Sequence, residues 1–364
     1  MSGLNLKKDE IQKQLAEKIK AANCFCLTNI TARTGKIRMV LKYILTPEDS
    51  AVVIYPELDI RQSWVDDIKN WEFEGHIKFY TTRSVEKITE TPDYLILDEY
   101  HAYSQNQILQ LKKYVNKHHI RKIIGLSGSV SEETAAMWYE IFNLRVKVSY
   151  LIEEAVNDGV VTDYSILVKS VPLSDKKTIV SGKIGSIYYR SEKQVFDSIS
   201  YSISLESNIV RLKMLRLQRM NLIKKSTAKL ELTKKLLSDY KNERILVFTG
   251  LTEVADNLGI PSYHSKNNEK SIKDGFLKGK FNQLAIVNKL NTGITFPNLS
   301  KSIVNFFDSN PENMFQKINR ITSLEYDNPS KKAEIIIISS NEEVEHKWLA
   351  KGLAFFDPNK ITYE

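Results

Sequence analysis

The chain has 364 residues, 42% of them hydrophobic, with only 14 Gly and 9 Pro, so collagen-like, low-complexity and wholly disordered classes are excluded. This length exceeds one ordinary domain and suits two hydrophobic cores. A net charge of +8 and a pI near 9.1 favour a polyanionic partner; the lack of an apolar spanning run or signal core implies a soluble cytoplasmic protein without a membrane partner.

Along the first 150 residues, short apolar runs rich in β-branched residues alternate with amphipathic stretches, the rhythm of a parallel sheet with crossover helices. Strands are predicted over 24–30, 51–55, 76–80, 94–97, 122–126 and 145–148, and helices over 9–21, 37–45, 59–71, 106–117 and 132–142. Cys24 and Cys26 would point to one face of the first strand, a poor disulfide geometry, and they read as buried thiols. Residues 151–225 break the rhythm, with an extended run (164–171), a Ser- and Tyr-rich stretch and a basic helical segment over 211–235 that includes Arg211, Arg216 and Arg219. The alternation resumes near 226, with strands over 244–248, 262–264, 283–287, 302–306 and 334–338 and a helix over 343–350. The expected organisation is therefore an α/β lobe at 1–150, a connection or small insertion at 151–225, and a second α/β lobe at 226–364.

Chemistry concentrates at strand ends. After the first strand, Arg33-Thr34-Gly35-Lys36-Ile37 opens a helix: glycine lets the backbone approach a phosphate, the helix N-terminal N–H groups point at it, and lysine adds charge. The apolar run 94–97 ends in Asp98 and Glu99, with His101 beyond. At the C-terminal edge of a parallel sheet such a pair can hold Mg²⁺ through water and orient an attacking water. Ser127-Gly128-Ser129 follows the next strand and should sit on the same edge.

In order and spacing these stretches resemble the superfamily 2 helicases and translocases, specifically the DExH group of phage and DNA-repair helicases and restriction-enzyme motor subunits. Thr34-Gly35-Lys36 is similar to motif I, the run ending at Pro56 to motif Ia, Asp98-Glu99-Tyr100-His101 to motif II and Ser127-Gly128-Ser129 to motif III. Farther on, the run ending at Phe248 and Thr249 resembles motif IV, Lys289 to Pro297, with Gly293, motif V, and Gln316 to Arg320 motif VI. The resemblance implies two tandem RecA-like P-loop NTPase lobes with parallel sheets, using ATP and Mg²⁺. It implies that Gln12 reads adenine, that Arg33, Thr34, Gly35, Lys36 and Ile37 surround the phosphates with Gly293, and that Asp98 is the metal ligand. By the same resemblance Glu99 positions water, Arg320 is the arginine finger, and His101, Gln316, Ser127 and Ser129 couple nucleotide state to movement. Pro56, Thr249, Gly250 and Lys289 would touch nucleic acid, with Arg211, Arg216 and Arg219 adding an electrostatic wall.

Single-stranded, forked or branched DNA is the implied partner ahead of RNA, in a bacterial or phage-infected cell and in company with replication or repair proteins. Four positions depart from the pattern. Ile37 stands where a Ser or Thr hydroxyl ligates Mg²⁺, Ser323 replaces a second motif VI arginine, Asn319 replaces a glycine, and Thr295 replaces an acidic or amide residue. The departures raise an alternative, a nucleic-acid-binding pseudo-helicase with weak or absent hydrolysis. A small-molecule enzyme would need a second catalytic constellation, and the sequence contains none.

Overall fold

The computed structural model describes residues 3–181, 186–287, 296, 298–323 and 331–364. The chain divides into two compact units, one built from residues up to Asp163 together with Thr322, Ser323 and Lys331, the other from most of the remainder.

The first unit begins with α1 (Gly3–Ala21), β1 (Phe25–Ile30), α2 (Lys36–Tyr43), β2 (Ser50–Tyr55), α3 (Leu58–Asn70) and β3 (His76–Thr81). It continues with β4 (Tyr94–Asp98), α4 (Gln105–His118), β5 (Lys122–Leu126), α5 (Glu132–Phe142), β6 (Val146–Tyr150) and α6 (Ile152–Asn157). The six strands form one sheet in the order β3-β2-β4-β5-β1-β6, and every pairing is parallel. Covered on both faces, the central strands are apolar almost throughout: all five residues of β4 are buried. One face packs Leu27, Leu95, Leu97 and Ile123 against Ile108, Leu111 and Trp138 of the helices. Helix starts are fixed locally. Ser104 and Gln107 form a reciprocal capping box for α4, and Ser131 caps α5.

In the second unit the order is β7 (Tyr164–Val171), β8 (Ile179–Ser181), β9 (Tyr188–Arg190), α7 (Glu192–Leu205), α8 (Ile209–Lys224), α9 (Thr227–Asp239), β10 (Ile245–Thr249) and α10 (Thr252–Asp256). It ends with β11 (Ser262–Tyr263), α11 (Lys270–Leu277), β12 (Gln283–Val287), β13 (Lys301–Val304), α12 (Pro311–Ile318), β14 (Ala333–Ser340), α13 (Glu343–Gly352) and β15 (Ile361–Tyr363). Seven strands form a second all-parallel sheet, β11-β12-β10-β13-β14-β7-β15.

This topology gives the stretch 151–225 more than a connecting role. Its extended run is β7, which lies inside the second sheet and pairs along all eight residues with β14, from Tyr164 opposite Ala333 to Val171 opposite Ser340. What projects from the sheet is the antiparallel hairpin β8-β9 and the helices α7 and α8. The first unit likewise passes residue 150, taking in α6. Thr162 ties the later residues to it, its N–H donating to Thr322 O at 2.9 Å and its hydroxyl to Ser323 O at 3.1 Å.

Candidate nucleotide and nucleic-acid sites

Parallel topology puts the C-terminal ends of β1, β4 and β5 side by side, so the loops after them share one sheet edge. Between β1 and α2, Gly35 caps the helix with φ 84°. A Cβ there would lie 2.4 Å from Gln12 Nε2, so both the backbone angle and the space demand glycine. Gln12 comes from α1 and is fully buried; its amide donates to Thr34 O at 2.6 Å and Gly35 O at 3.4 Å, while its Oε1 has no hydrogen-bond partner. An orphaned buried acceptor is costly, and it is the atom that an exocyclic amine of a base would satisfy. Thr34 is turned inward, its hydroxyl donating to Thr31 O at 2.8 Å. Lys36 opens α2 and its Nζ rests on Ile30 O at 3.2 Å, at the end of β1.

Lys8 is a cation of this loop that sequence reading missed. Its Cε lies 3.7 Å from the position a Gly35 Cβ would take, and burial followed by the charges of Arg38 and Arg33 pulls its ammonium down to about 8. Burial also lowers Arg33, to about 10, and Arg33 holds a left-handed φ of 68°. Arg38 is engaged elsewhere: it pairs with Asp9 and stacks 4.2 Å from the Trp71 ring centroid. Mutually repelling cations around a glycine turn make a seat for an anion. Ile37 occupies the first turn of α2 half-buried and offers no hydroxyl.

Asp98 ends β4, buried. Its Oδ2 accepts from Trp64 Nε1 at 2.7 Å and its Oδ1 from the Glu99 N–H at 3.0 Å. Burial, then the neighbouring Glu99, pushes its carboxyl up to about 6 against the pull of Trp64 and Lys36. Trp64, on α3, is the second residue the sequence did not disclose. Its spacing reads as an ordinary core aromatic, and only the fold aims its N–H at Asp98. Among the described residues no cluster of three His, Cys, Asp or Glu could hold a metal. The donor set fits Mg²⁺ all the same, because that ion is usually held by one or two carboxylates, phosphate oxygens and water.

Glu99 adopts φ 48°, ψ 45°, an unusual backbone for a side-chain residue and a mark of functional constraint. Its Oε2 lies 3.3 Å from His101 Nδ1, which is 2.8 Å from Ser127 Oγ. Ser127 donates its hydroxyl hydrogen to Ser129 O at 2.7 Å and accepts the Ser129 N–H at 3.3 Å. His101 Nδ1 and Ser127 Oγ share a hydrogen bond whose direction follows the imidazole tautomer. A continuous polar chain thus runs from Glu99 to Ser129.

The remaining sequence-selected residues are more dispersed. Pro56 follows β2 directly. Thr249 ends β10, its hydroxyl spent on Leu251 O and Ile286 O at 3.3 Å each, and Gly250 comes next. On α8, Arg211 pairs with Glu206 at 3.0 Å, Arg216 is exposed, and Arg219 lies 3.3 Å from Ser200 Oγ. Gln316 is half-buried on α12 and Arg320 is buried just past its end. Ser323 is buried in the first unit, its hydroxyl unpartnered and its carbonyl accepting from Lys331 at 3.1 Å. Lys289, Gly293, Thr295 and Pro297 lie outside the described residues.

No protein-family profile and no curated protein sequence matches the chain. Solved structures do. Dbp5 of S. cerevisiae bound to RNA and ADP BeF3 is 11% identical with a TM-score of 0.59, covering 93% of this chain and 84% of that one. A fragment from Vibrio vulnificus assigned as an HsdR subunit of a type I restriction enzyme is 14% identical at TM-score 0.58, covering 96% and 66%. Mss116p bound to ssRNA and AMP-PNP is 13% identical at TM-score 0.54, covering 93% and 70%. At these identities the likeness is one of fold: the chain has the fold of superfamily 2 helicases, two tandem RecA-like lobes.

Proposed function

We propose that the protein is an ATP-hydrolysing motor of superfamily 2 that moves along or remodels nucleic acid, with DNA as its substrate. The observation that carries this reading is the edge of the first sheet, where the Gly35 turn, Lys36, Asp98 and the chain from Glu99 to Ser129 lie on adjacent loops. Lys36, with Lys8 and Arg33 beside it, neutralises phosphate charge; Gln12 offers its free carbonyl to the base; Asp98 holds Mg²⁺ through water. When bound, the ion draws charge off the phosphates. Glu99 orients the attacking water, and its link through His101 to Ser127 passes the state of that water to the neighbouring loop. Arg320 supplies transition-state charge from the second lobe. Two of the structural relatives hold RNA, and DNA is preferred here on the motif resemblance.

Phosphate release measured with no polymer, single-stranded DNA, duplex DNA and RNA, beside Glu99→Gln, tests this reading. Stimulation by DNA that disappears in Glu99→Gln is expected; a wild type without turnover under all four conditions sinks the motor. One observation favours the pseudo-helicase: the first turn of α2 has no hydroxyl at Ile37. Ile37→Thr discriminates, because a working motor with a poor metal site should then need less Mg²⁺ for half-maximal turnover.

A further inference from the structure

The two helices that project from the second sheet carry an apolar face that no described residue covers. Of the 18 large hydrophobic side chains exposed among the described residues, 6 lie on α7 and α8, so unpartnered apolar surface concentrates there. On α8 it is ordered. Val210, Met214 and Leu217 are 69%, 57% and 54% exposed, and with exposed Asn221 they recur at intervals of four, three and four residues. At about 100° per residue these four positions fall within about 60° of the helix circumference. The opposite side of α8 is the packed one. Ile223 is buried in a cluster with Phe196 of α7, Leu212, Leu215 and Leu222 are half-buried, and Arg219 lies 3.3 Å from Ser200 Oγ.

Charge frames this stripe. α8 contains no acidic residue, and helical rotation puts Arg211 on one flank of the stripe and Lys213 and Arg216 on the other. Lys213 and Arg216 are exposed and form no ion pair among the described residues. Arg211 shares its Nε with Glu206 at 3.0 Å, yet 76% of its side chain stays in water. The arginine wall expected from the sequence accounts for these cations but not for the stripe between them. A nucleic-acid strand would pair with the cations and leave the apolar centre in water, and α8 has no aromatic ring on which a base could stack. A membrane-surface helix needs a broader apolar face. A second copy of α8 would set cation against cation.

A narrow apolar seam at this spacing is the pattern by which one helix receives another, with the flanking charges choosing the partner. We infer that α8 is the docking face for an acidic amphipathic helix of a partner protein, which inserts apolar side chains among Val210, Met214 and Leu217 and sets Glu or Asp against Arg211 and Lys213. Asn221 fixes the register, because a polar residue in such a seam asks for a polar residue opposite. From Val210 to Asn221 the seam spans about 16 Å, the size of a modest contact. The inference goes beyond the proposed motor and needs neither ATP nor a strand, so the two stand or fall separately.

The test uses the full-length protein and a fluorescein-labelled peptide of three heptads, with Leu at the seam positions and Glu at the flanking ones, beside a twin carrying Lys in place of Glu. Anisotropy should show saturable binding of the Glu peptide and binding of the Lys peptide weaker by about tenfold or more. Met214→Ser and Leu217→Ser remove apolar area without changing charge and should each weaken the Glu peptide about tenfold, the effect of one buried side chain of that size. Both side chains are exposed, so the fold should hold, and a thermal melt checks it. Arg211→Glu combined with Lys213→Glu should move the preference to the Lys peptide. No saturable binding of the Glu peptide, equal binding of the two peptides, affinity unchanged in both serine variants, or a preference that the double variant fails to move overturns the docking face. The same serine variants read out the other occupants. Loss of binding to a 12-nucleotide dT strand, of co-sedimentation with phosphatidylserine vesicles, or of a wild-type dimer in sedimentation velocity would assign the stripe to nucleic acid, a membrane or a second copy, and each overturns the acidic helix.

Discussion

Gly35 meets two independent demands, a left-handed backbone angle and the absence of any atom where Gln12 Nε2 packs. Gly35→Ala should therefore cost about 1–3 kcal/mol of stability through strain and the displaced Gln12 amide, and should abolish nucleotide binding; a denaturant melt and a fluorescent-nucleotide titration read the two effects. Asp98 shows the opposite economy, a group whose burial opposes its ionisation. Because its folded value, about 6, is raised above that of the unfolded chain, the folded state favours the protonated form. Stability falls as pH rises through that window and the full penalty is present above it. Asp98→Asn removes this penalty while an amide oxygen can still accept from Trp64. Without Mg²⁺ the variant should melt a few degrees above wild type at pH 7.5, the gap should shrink to about half near pH 5 and close below about pH 4, and turnover should be lost. A melting gap as large at pH 5 as at pH 7.5 would place the effect in packing instead of charge.

At the scale of elements, most first-lobe strands were legible because a buried parallel strand writes itself as an apolar run. The runs at 51–55 and 122–126 became β2 and β5 nearly unchanged. The candidate site was legible to the same depth: Asp98 and Glu99 stand where the apolar run of β4 stops, and Gly35 and Lys36 at the turn that opens the helix after β1. The role of β7 was not legible. Its extended character shows at 164–171, but its partners β14 and β15 come more than 150 residues later, so nothing local assigns it to the second sheet. Trp64 and Lys8 were hidden for a related reason, since each acts on a residue supplied by a different element. The same topology makes a prediction. β15 is the edge strand beside β7, and Lys169 pairs with Glu364 at its end. Truncation after Asp357 should unpair the outer edge of β7, lower the melting temperature, and promote association through the exposed strand. Light scattering during a thermal ramp checks it; a truncated chain as stable and as monodisperse as the full one would show that β15 contributes nothing to the sheet.

For the whole molecule, the proposed motor divides its chemistry between the two units. Phosphate-holding and water-positioning groups belong to the first, and Arg320 follows α12 in the second. Transition-state charge and ground-state binding should then separate on mutation. In that proposal the groups that hold ATP before reaction are Lys36, Lys8 and the backbone at Gly35, all of the first unit. Negative charge on the phosphoryl oxygens is redistributed as the bond to the leaving group loosens, and a second-lobe guanidinium matters most at that moment. Arg320→Ala should leave the dissociation constant of a fluorescent ATP analogue within about threefold while turnover drops by about a hundredfold or more. Lys36→Ala should instead weaken binding itself. Equal losses of binding and turnover in Arg320→Ala would mean that the arginine, buried at the end of α12, serves the fold of the second unit, and a lowered melting temperature in the same variant would confirm that reading. Turnover unaffected by Arg320→Ala would remove the arginine finger from the mechanism and leave hydrolysis to the first unit alone.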